Sequence, residues 1–164
     1  MPDAEPEFER RVWESRRMVY QVAYSVLANA ADAEQVTQGV FLRAFRKLGG
    51  LREPERFRGW VARMSWRLAL NRRRSLARAL RRDGAWLLGL AAPREDAEAL
   101  AAGNELQARL REEIPPDKLR AALLLSAIEG LDARSVSAIL RIPEGTVRSR
   151  LHLARRRLLE RLSP

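Results

Sequence analysis

The sequence predicts an all-α protein built as two small helical domains joined by a flexible linker. Three observations predict it. Segments rich in Ala, Leu and Arg fill the chain between its prolines, and no run of β-branched residues competes with these helix formers. Apolar residues recur at helical spacing. A stretch broken by Gly and Pro separates two such periodic blocks.

The first helix is expected from about Glu7 to Leu27. Val12, Val19, Val22, Ala23 and Val26 share a face there, with Trp13 and Tyr20 close by. The second is expected to begin after Asp32, where Asp32 and Gln35 have capping-box spacing. Val36, Val40, Phe41 and Ala44 give it an apolar stripe, and Gly49-Gly50 ends it. Pro54 suits the first turn of a third helix carrying Phe57, Trp60, Val61, Met64, Leu68 and Leu70. That helix runs into Asn71-Arg72-Arg73-Arg74 and continues, whole or broken, through Leu76 and Leu80 to Arg81-Arg82. These elements define a first domain over residues 7–75.

Residues 76–103 read as the linker, interrupted by Gly84, Gly89, Pro93 and Gly103. Its apolar patch, Trp86-Leu87-Leu88, suits docking on a domain or a partner as well as a casual surface contact. The second domain spans residues 104–162. Leu106, Leu110 and Ile114 form one helix face, and Pro115-Pro116 ends that helix. The next holds Leu119, Ala122, Leu123 and Ile128 and stops at Gly130. Asp132 is the expected N-cap of a short helix through Val136, Ile139 and Leu140. After a turn at Arg141-Ile142-Pro143, a last helix carries Val147, Leu151, Ala154, Leu158 and Leu159.

Charge sharpens this division. The chain has 31 Lys+Arg against 21 Asp+Glu, and all but two of the basic residues are arginine. Arginine presents a planar fork of donors that suits phosphate oxygens and guanine edges. Residues 43–82 hold 14 basic and 2 acidic groups, and residues 141–161 hold 7 and 2, with a mildly acidic stretch between them. Two basic blocks suggest two surfaces that face a polyanion.

The last two helices carry the sharper motif. A short helix, a turn of about three residues and a longer amphipathic helix make the plan of a helix-turn-helix, in which the second helix enters the major groove. The faces of that helix away from its apolar stripe carry Glu144, Thr146, Arg148, Ser149, Arg150, His152, Arg155, Arg156 and Arg157. Arg148 and Arg150 suit guanine or phosphate, Glu144 suits a cytosine amino group, and Arg155 to Arg157 lie where the DNA backbone would run. The second constellation is Arg63, Arg67, Asn71, Arg72, Arg73 and Arg74, beside Phe57, Trp60 and Trp66. Basic groups interleaved with aromatics suit opened nucleic acid, where bases stack. Phe57 and Trp60 share the apolar face and read as core. Trp66 falls off the Trp60–Met64–Leu68 stripe and stands as a candidate exposed side chain.

Other classes are disfavoured. The chain has no cysteine, and its one histidine, His152, has no plausible metal partners nearby in sequence. No glycine-rich phosphate cradle is present, and no serine has a plausible general base, so neither an enzyme nor a cofactor is expected. No stretch approaches 18 uninterrupted apolar residues, and the acidic Met1-Pro2-Asp3-Ala4-Glu5 start lacks the form of a signal peptide. A cytoplasmic protein that is not membrane-embedded is expected.

Several motifs resemble the group IV, or extracytoplasmic function (ECF), family of bacterial sigma factors, over about residues 8–162. The most specific is Pro143-Glu144-Gly145-Thr146-Val147-Arg148-Ser149-Arg150-Leu151 followed by Ala154-Arg155, with Leu123-Leu124-Leu125 and Glu129-Gly130-Leu131 upstream. It is similar to region 4, which reads the −35 promoter element and contacts the polymerase flap. Ala33-Glu34 to Gln38, Val40 to Phe45, Phe57-Arg58-Gly59-Trp60 and Leu68 to Arg74 are similar to region 2, which docks on the polymerase clamp helices and melts and captures the −10 element.

The resemblance implies core RNA polymerase and promoter DNA as partners and, commonly in the family, an anti-sigma factor. It also implies a polymerase-facing helix that here presents Gln35, Gln38, Gly39, Leu42, Arg43 and Arg46. Departures are specific. Gln35 and Gly39 stand where the family usually has acids, and Trp66-Arg67 replaces an Arg-Asn pair. Ala133, Arg134 and Ser135 replace the usual aromatic and acidic residues, and Arg141 replaces a turn glycine. The loss of acids at 35 and 39 leaves a second reading open: a DNA-binding regulator with a helix-turn-helix that no longer initiates transcription.

Overall fold

The computed structural model describes residues 4–51, 53–83 and 118–162, and every regular element among them is helical. In the first lobe α1 (Ala4–Leu27), α2 (Ala30–Lys47) and α3 (Phe57–Asp83) pack mutually, with short 3-10 turns at Leu48–Gly50 and Pro54–Arg56. The second lobe comprises α4 (Lys118–Leu123), a π-turn (Leu124–Ile128), α5 (Ala133–Leu140) and α6 (Glu144–Leu162).

In α1, Ser15, Met18, Val19, Val22, Ala23 and Val26 are buried at the spacing of one helix face. The helix ends at Ala28, which takes a left-handed conformation at φ 50° while its N–H donates to the Tyr24 carbonyl at 2.9 Å. The start of α2 corrects the sequence reading. Its N-cap is Asn29, whose side-chain oxygen accepts from the Asp32 N–H at 2.9 Å, so the helix begins before Asp32. Asn caps as well as Asp does. Asp32 instead accepts two hydrogen bonds from Arg72, at 2.7 and 2.9 Å, and ties the first turn of α2 to α3.

The third helix is continuous to Asp83, so residues 76–83, read as linker from sequence, are helical. Its buried face is Phe57, Val61, Ala62, Ser65, Trp66 and Ala69. Trp66 is 5% exposed, which corrects its expected surface position. Ala62 and Ala69 lie one turn before and after it on the same face, and their small side chains leave room for an indole between them. Trp60, Met64 and Leu68 flank this face and are half-buried. The Ser65 hydroxyl donates to the Val19 carbonyl at 2.7 Å, a satisfied buried bond between α3 and α1.

In the second lobe, Leu123, Leu124 and Leu125 are all buried. The wider π-turn brings the Glu129 N–H to the Leu124 carbonyl at 3.2 Å. Gly130 then turns at φ 67°, and the Leu131 N–H reaches the Leu125 carbonyl at 3.0 Å. Only a residue tolerant of the left-handed region closes a helix this way, as its position predicts.

The two lobes are not separate bodies. Their buried residues form one continuous apolar cluster, with α5 against α3 and both α4 and the π-turn against α1. Arg58 at the start of α3 donates to the Glu129 carboxylate at 2.7 Å and to its backbone carbonyl at 3.2 Å, across the lobe boundary. The Leu106–Ile114 helix face, Pro115-Pro116, the Trp86-Leu87-Leu88 patch and the linker beyond Asp83 lie outside the described residues.

Candidate nucleic-acid interfaces

The helix-turn-helix forms where its sequence signals lie. The Asp132 carboxylate accepts from the Ser135 N–H at 2.7 Å and caps α5. Hydrogen bonds from Ser135 hold this carboxyl below its ordinary range. At the far end Arg141 sits at φ 53°, ψ 51°, a left-handed cap that glycine normally fills, and its N–H donates to the Ser137 carbonyl. Ile142 is buried beneath the turn, and the Ser137 hydroxyl donates to the Ile142 carbonyl at 2.7 Å. Ser137 thus orients the two helices; a serine five residues before the buried turn residue is the only signal the sequence offers for it.

Val147, Leu151 and Ala154 bury one side of α6. On the outer side Arg148, Ser149, His152, Arg155, Arg156 and Arg157 are exposed, while Glu144, Thr146 and Arg150 are half-buried. Arg148 is paired with Glu144 at 2.5 Å, one turn back, so Glu144 is held by a neighbouring side chain rather than projecting alone. The Ser149 hydroxyl donates to the Gly145 carbonyl at 2.9 Å.

The second basic surface lies on the first lobe. Arg63, Arg67, Asn71, Arg73 and Arg74 are exposed on α3. Arg72 is partly withdrawn by its ion pair with Asp32. A pocket of 170 Å³ opens between α2 and α3, lined by Arg43, Lys47, Trp60, Arg63, Met64, Arg67, Leu68 and Asn71. The available aromatic wall is therefore Trp60, not the buried Trp66. Lys47 joins it from the last turn of α2, where sequence reasoning had not looked.

A third surface follows the outer side of α2. Gln35, Gln38, Leu42, Arg43 and Arg46 are exposed, and Gly39 is half-buried with no heavy atom within 4 Å of where a Cβ would sit. Beside it runs a 590 Å³ groove between α1 and α2, whose apolar lining includes Val12, Trp13, Phe41, Leu42 and Phe45. Trp13 is 78% and Leu42 60% exposed.

An arginine-faced helix-turn-helix, joined to a helical lobe with its own basic, aromatic-walled pocket, defines a DNA-binding protein of two-site design. Comparison with known proteins gives the family. Sigma-70 region 2 matches residues 12–79, and Sigma-70 region 4 matches residues 116–158. The ECF RNA polymerase sigma factor SigE of Mycolicibacterium smegmatis is 36% identical over 98% of this chain, which spans 63% of that relative's length. The RNA polymerase sigma-H factor of Pseudomonas aeruginosa is 31% identical over 83% of this chain and 76% of its own. The solved structure of the sigma factor RpoE in complex with the anti-sigma factor NepR from Bartonella quintana has the same fold. It matches with a TM-score of 0.73 at 18% identity, over 93% of this chain and 94% of that one.

The chain belongs to the group IV, ECF family of RNA polymerase sigma factors. It is a transcription initiation factor, not an enzyme: it binds core RNA polymerase and directs promoter recognition. Gln35 and Gly39, the departures behind the alternative of a regulator that no longer initiates transcription, lie within the segment matched to region 2. Among the described residues no helix is long and apolar enough to cross a membrane.

Proposed function

We propose a division of labour among the three surfaces. The outer face of α6 reads the −35 element: Arg148 contacts base edges, with Glu144, Thr146, Ser149, Arg150 and His152 around it, and Arg155 and Arg156 hold phosphates. The α2–α3 pocket takes an unstacked base of the opened −10 strand against Trp60, while Arg63, Arg67, Asn71, Arg73 and Arg74 track the strand's phosphates. The outer side of α2, with Gln35, Gln38, Gly39, Leu42, Arg43 and Arg46, docks on the polymerase clamp helices, and the second lobe meets the flap. Functionally, residues 7–75 serve the clamp and −10 element, 76–103 link, and 104–162 serve the −35 element and flap.

The protein works in the cytoplasm, without a cofactor, and an anti-sigma factor holds it inactive by covering both lobes. The neighbour solved with its anti-sigma factor supports that last point by analogy. The observation that carries the reading is α6: one side buries Val147, Leu151 and Ala154, while the opposite side exposes five arginine and histidine side chains at 148, 152, 155, 156 and 157. Reconstitution with core polymerase tests it. A promoter-dependent transcript, weakened and made less selective for the −35 element by Arg148→Ala and reduced by Trp60→Ala with −35 binding intact, is the expected result. A transcript indifferent to both changes overturns the assignment.

A further inference from the structure

We propose that Arg141 anchors the turn of the helix-turn-helix to a DNA backbone phosphate at the edge of the −35 groove, a contact outside the reading face of α6. The proposal rests on the promoter reading above and adds a residue to it. It starts from a local conflict. Arg141 lies in the left-handed region at φ 53° and ψ 51°, where a Cβ crowds the following carbonyl. Gly130, which closes the preceding helical stretch at φ 67°, is the residue type that escapes this penalty. Ala28, the other described non-glycine residue at positive φ, meets it with a single methyl group and is buried. Arg141 carries a long charged side chain into the same strained backbone and exposes it.

The turn makes no use of that side chain. Its backbone is fixed by Ser137, whose carbonyl accepts from the Arg141 N–H and from the Ile142 N–H at 3.3 Å, and whose hydroxyl donates to the Ile142 carbonyl at 2.7 Å. Leu140 and Ile142 are buried on either side of it. Among the described residues no ion pair or side-chain hydrogen bond includes the Arg141 guanidinium, and Glu144, the nearest acid along the chain, is held by Arg148. A strained residue whose side chain serves nothing within the fold is accounted for by a contact outside it.

The position of the turn says what that contact is. The turn joins the helix that crosses the DNA backbone to the helix that enters the groove. Arg141 stands three residues before Glu144, the first residue of α6. Three residues of chain span at most about 11 Å. The major groove that admits α6 is about 12 Å wide. With the head of α6 in the groove, where Arg148 meets base edges, the turn lies at the groove's edge, where the phosphates run. A guanidinium there offers a planar fork of donors to phosphate oxygens. Such a contact fixes register and carries no sequence information. Glycine would make the better turn and leave that strand unheld.

The test measures folding and binding on the same full-length variants, Arg141→Gly, Arg141→Asn and Arg141→Lys, with core polymerase and promoter duplex. Gly and Asn accept the left-handed backbone without a charge, whereas Lys keeps the charge. Arg141→Gly is expected to melt higher than the parent while its holoenzyme binds the promoter about five- to tenfold more weakly at low salt. Its salt dependence should be shallower by about 0.9, with base preference unchanged at every −35 position. Arg141→Asn should share the loss of binding, and Arg141→Lys should recover most of it. A scan of single methylphosphonates, each neutralising one phosphate of the −35 element, locates the partner: at one position the parent loses affinity and Arg141→Asn loses no more. Parent-like binding by Arg141→Asn overturns the proposal. So do equal losses at every neutralised phosphate, which report net charge alone, and a loss confined to core-polymerase affinity, which makes the partner a protein carboxylate. A lower melting temperature for Arg141→Gly shows that the fold uses the side chain and also overturns it. A parent holoenzyme that binds no promoter defeats the promoter reading, and this contact with it; a parent that binds beside an equally tight Arg141→Asn defeats this contact alone.

Discussion

Trp66 offers a sharp test, because sequence and structure place it on opposite sides of the helix. Its indole is 5% exposed, in a core shared by α1, α2 and α3. Trp66→Ala deletes a large buried ring and leaves a cavity between Ala62 and Ala69, at a cost of about 3–5 kcal/mol. A chain of this size is stable by roughly 5–15 kcal/mol. The variant should lose about a fifth or more of its stability and melt roughly 10 °C lower. Urea unfolding followed by far-ultraviolet circular dichroism reads the change. The midpoint should fall while the slope stays constant, since the same surface is exposed on unfolding. Trp66→Phe keeps a ring in the cavity and should recover more than half of the loss. Strand opening at the −10 element, measured below the melting temperature, should persist in Trp66→Phe and fall in Trp60→Ala. If Trp66→Ala leaves the urea midpoint unmoved yet abolishes strand opening, the ring faces DNA and the burial argument is wrong.

Other expectations concern the second lobe. Arg141→Gly relieves a left-handed side-chain clash of about 1 kcal/mol and returns part of it as unfolded-chain entropy, so calorimetry should show a net gain of roughly 0.5 kcal/mol. A lower melting temperature would mean that the Arg141 side chain contributes more than its strained backbone costs. Arg148→Ala should relax preference at one or two positions of the −35 element, whereas Arg156→Ala should weaken binding uniformly and make the salt dependence shallower by roughly one unit. Equal losses on every promoter variant and equal salt slopes would remove that distinction. Asp132 has a folded pKa below its unfolded one, so its stabilisation is complete above the ordinary carboxylate range and is lost as pH falls through the lowered folded value. Asp132→Asn keeps the cap and removes the titration. Its acid-unfolding curve should be flatter than the parent's while neutral-pH stability is nearly unchanged; an equally steep acid limb would place the titrating group elsewhere.

The second lobe was the more readable from sequence because its signals are local. Asp132 caps, Gly130 takes a positive φ, and Val147, Leu151 and Ala154 bury one face, each as spacing alone implies. The first lobe was read correctly as three helices but missed in rotation and in caps. Asn29 and Asp32 are both good caps, and the choice was made by Arg72, forty residues away, which claims Asp32. Trp66 was misplaced for the same reason: which face of α3 is buried is set by α1 and α2, and large aromatics on neighbouring faces do not by themselves say which is inside. The Trp60 pocket needs side chains from two helices, Lys47 and Arg43 on α2 with Arg63 and Arg67 on α3, so no single stretch announces it. Most of the proposed DNA-facing arginines were nameable in advance because a fully buried unpaired guanidinium is too costly to be common.

Gly39 has a consequence for how this protein is able to change over time. It sits within α2 on the surface proposed to dock on the polymerase, and a Cβ there meets nothing within 4 Å. Packing therefore does not require glycine. Almost any side chain fits, and each removes a helix-interior penalty of up to about 1 kcal/mol. A single substitution to an acid would add the charge that the family resemblance implies at this position without disturbing the core. Under the proposed docking, drift or selection can adjust affinity for the transcription machinery at one residue, independently of folding, and an experimenter has the same freedom.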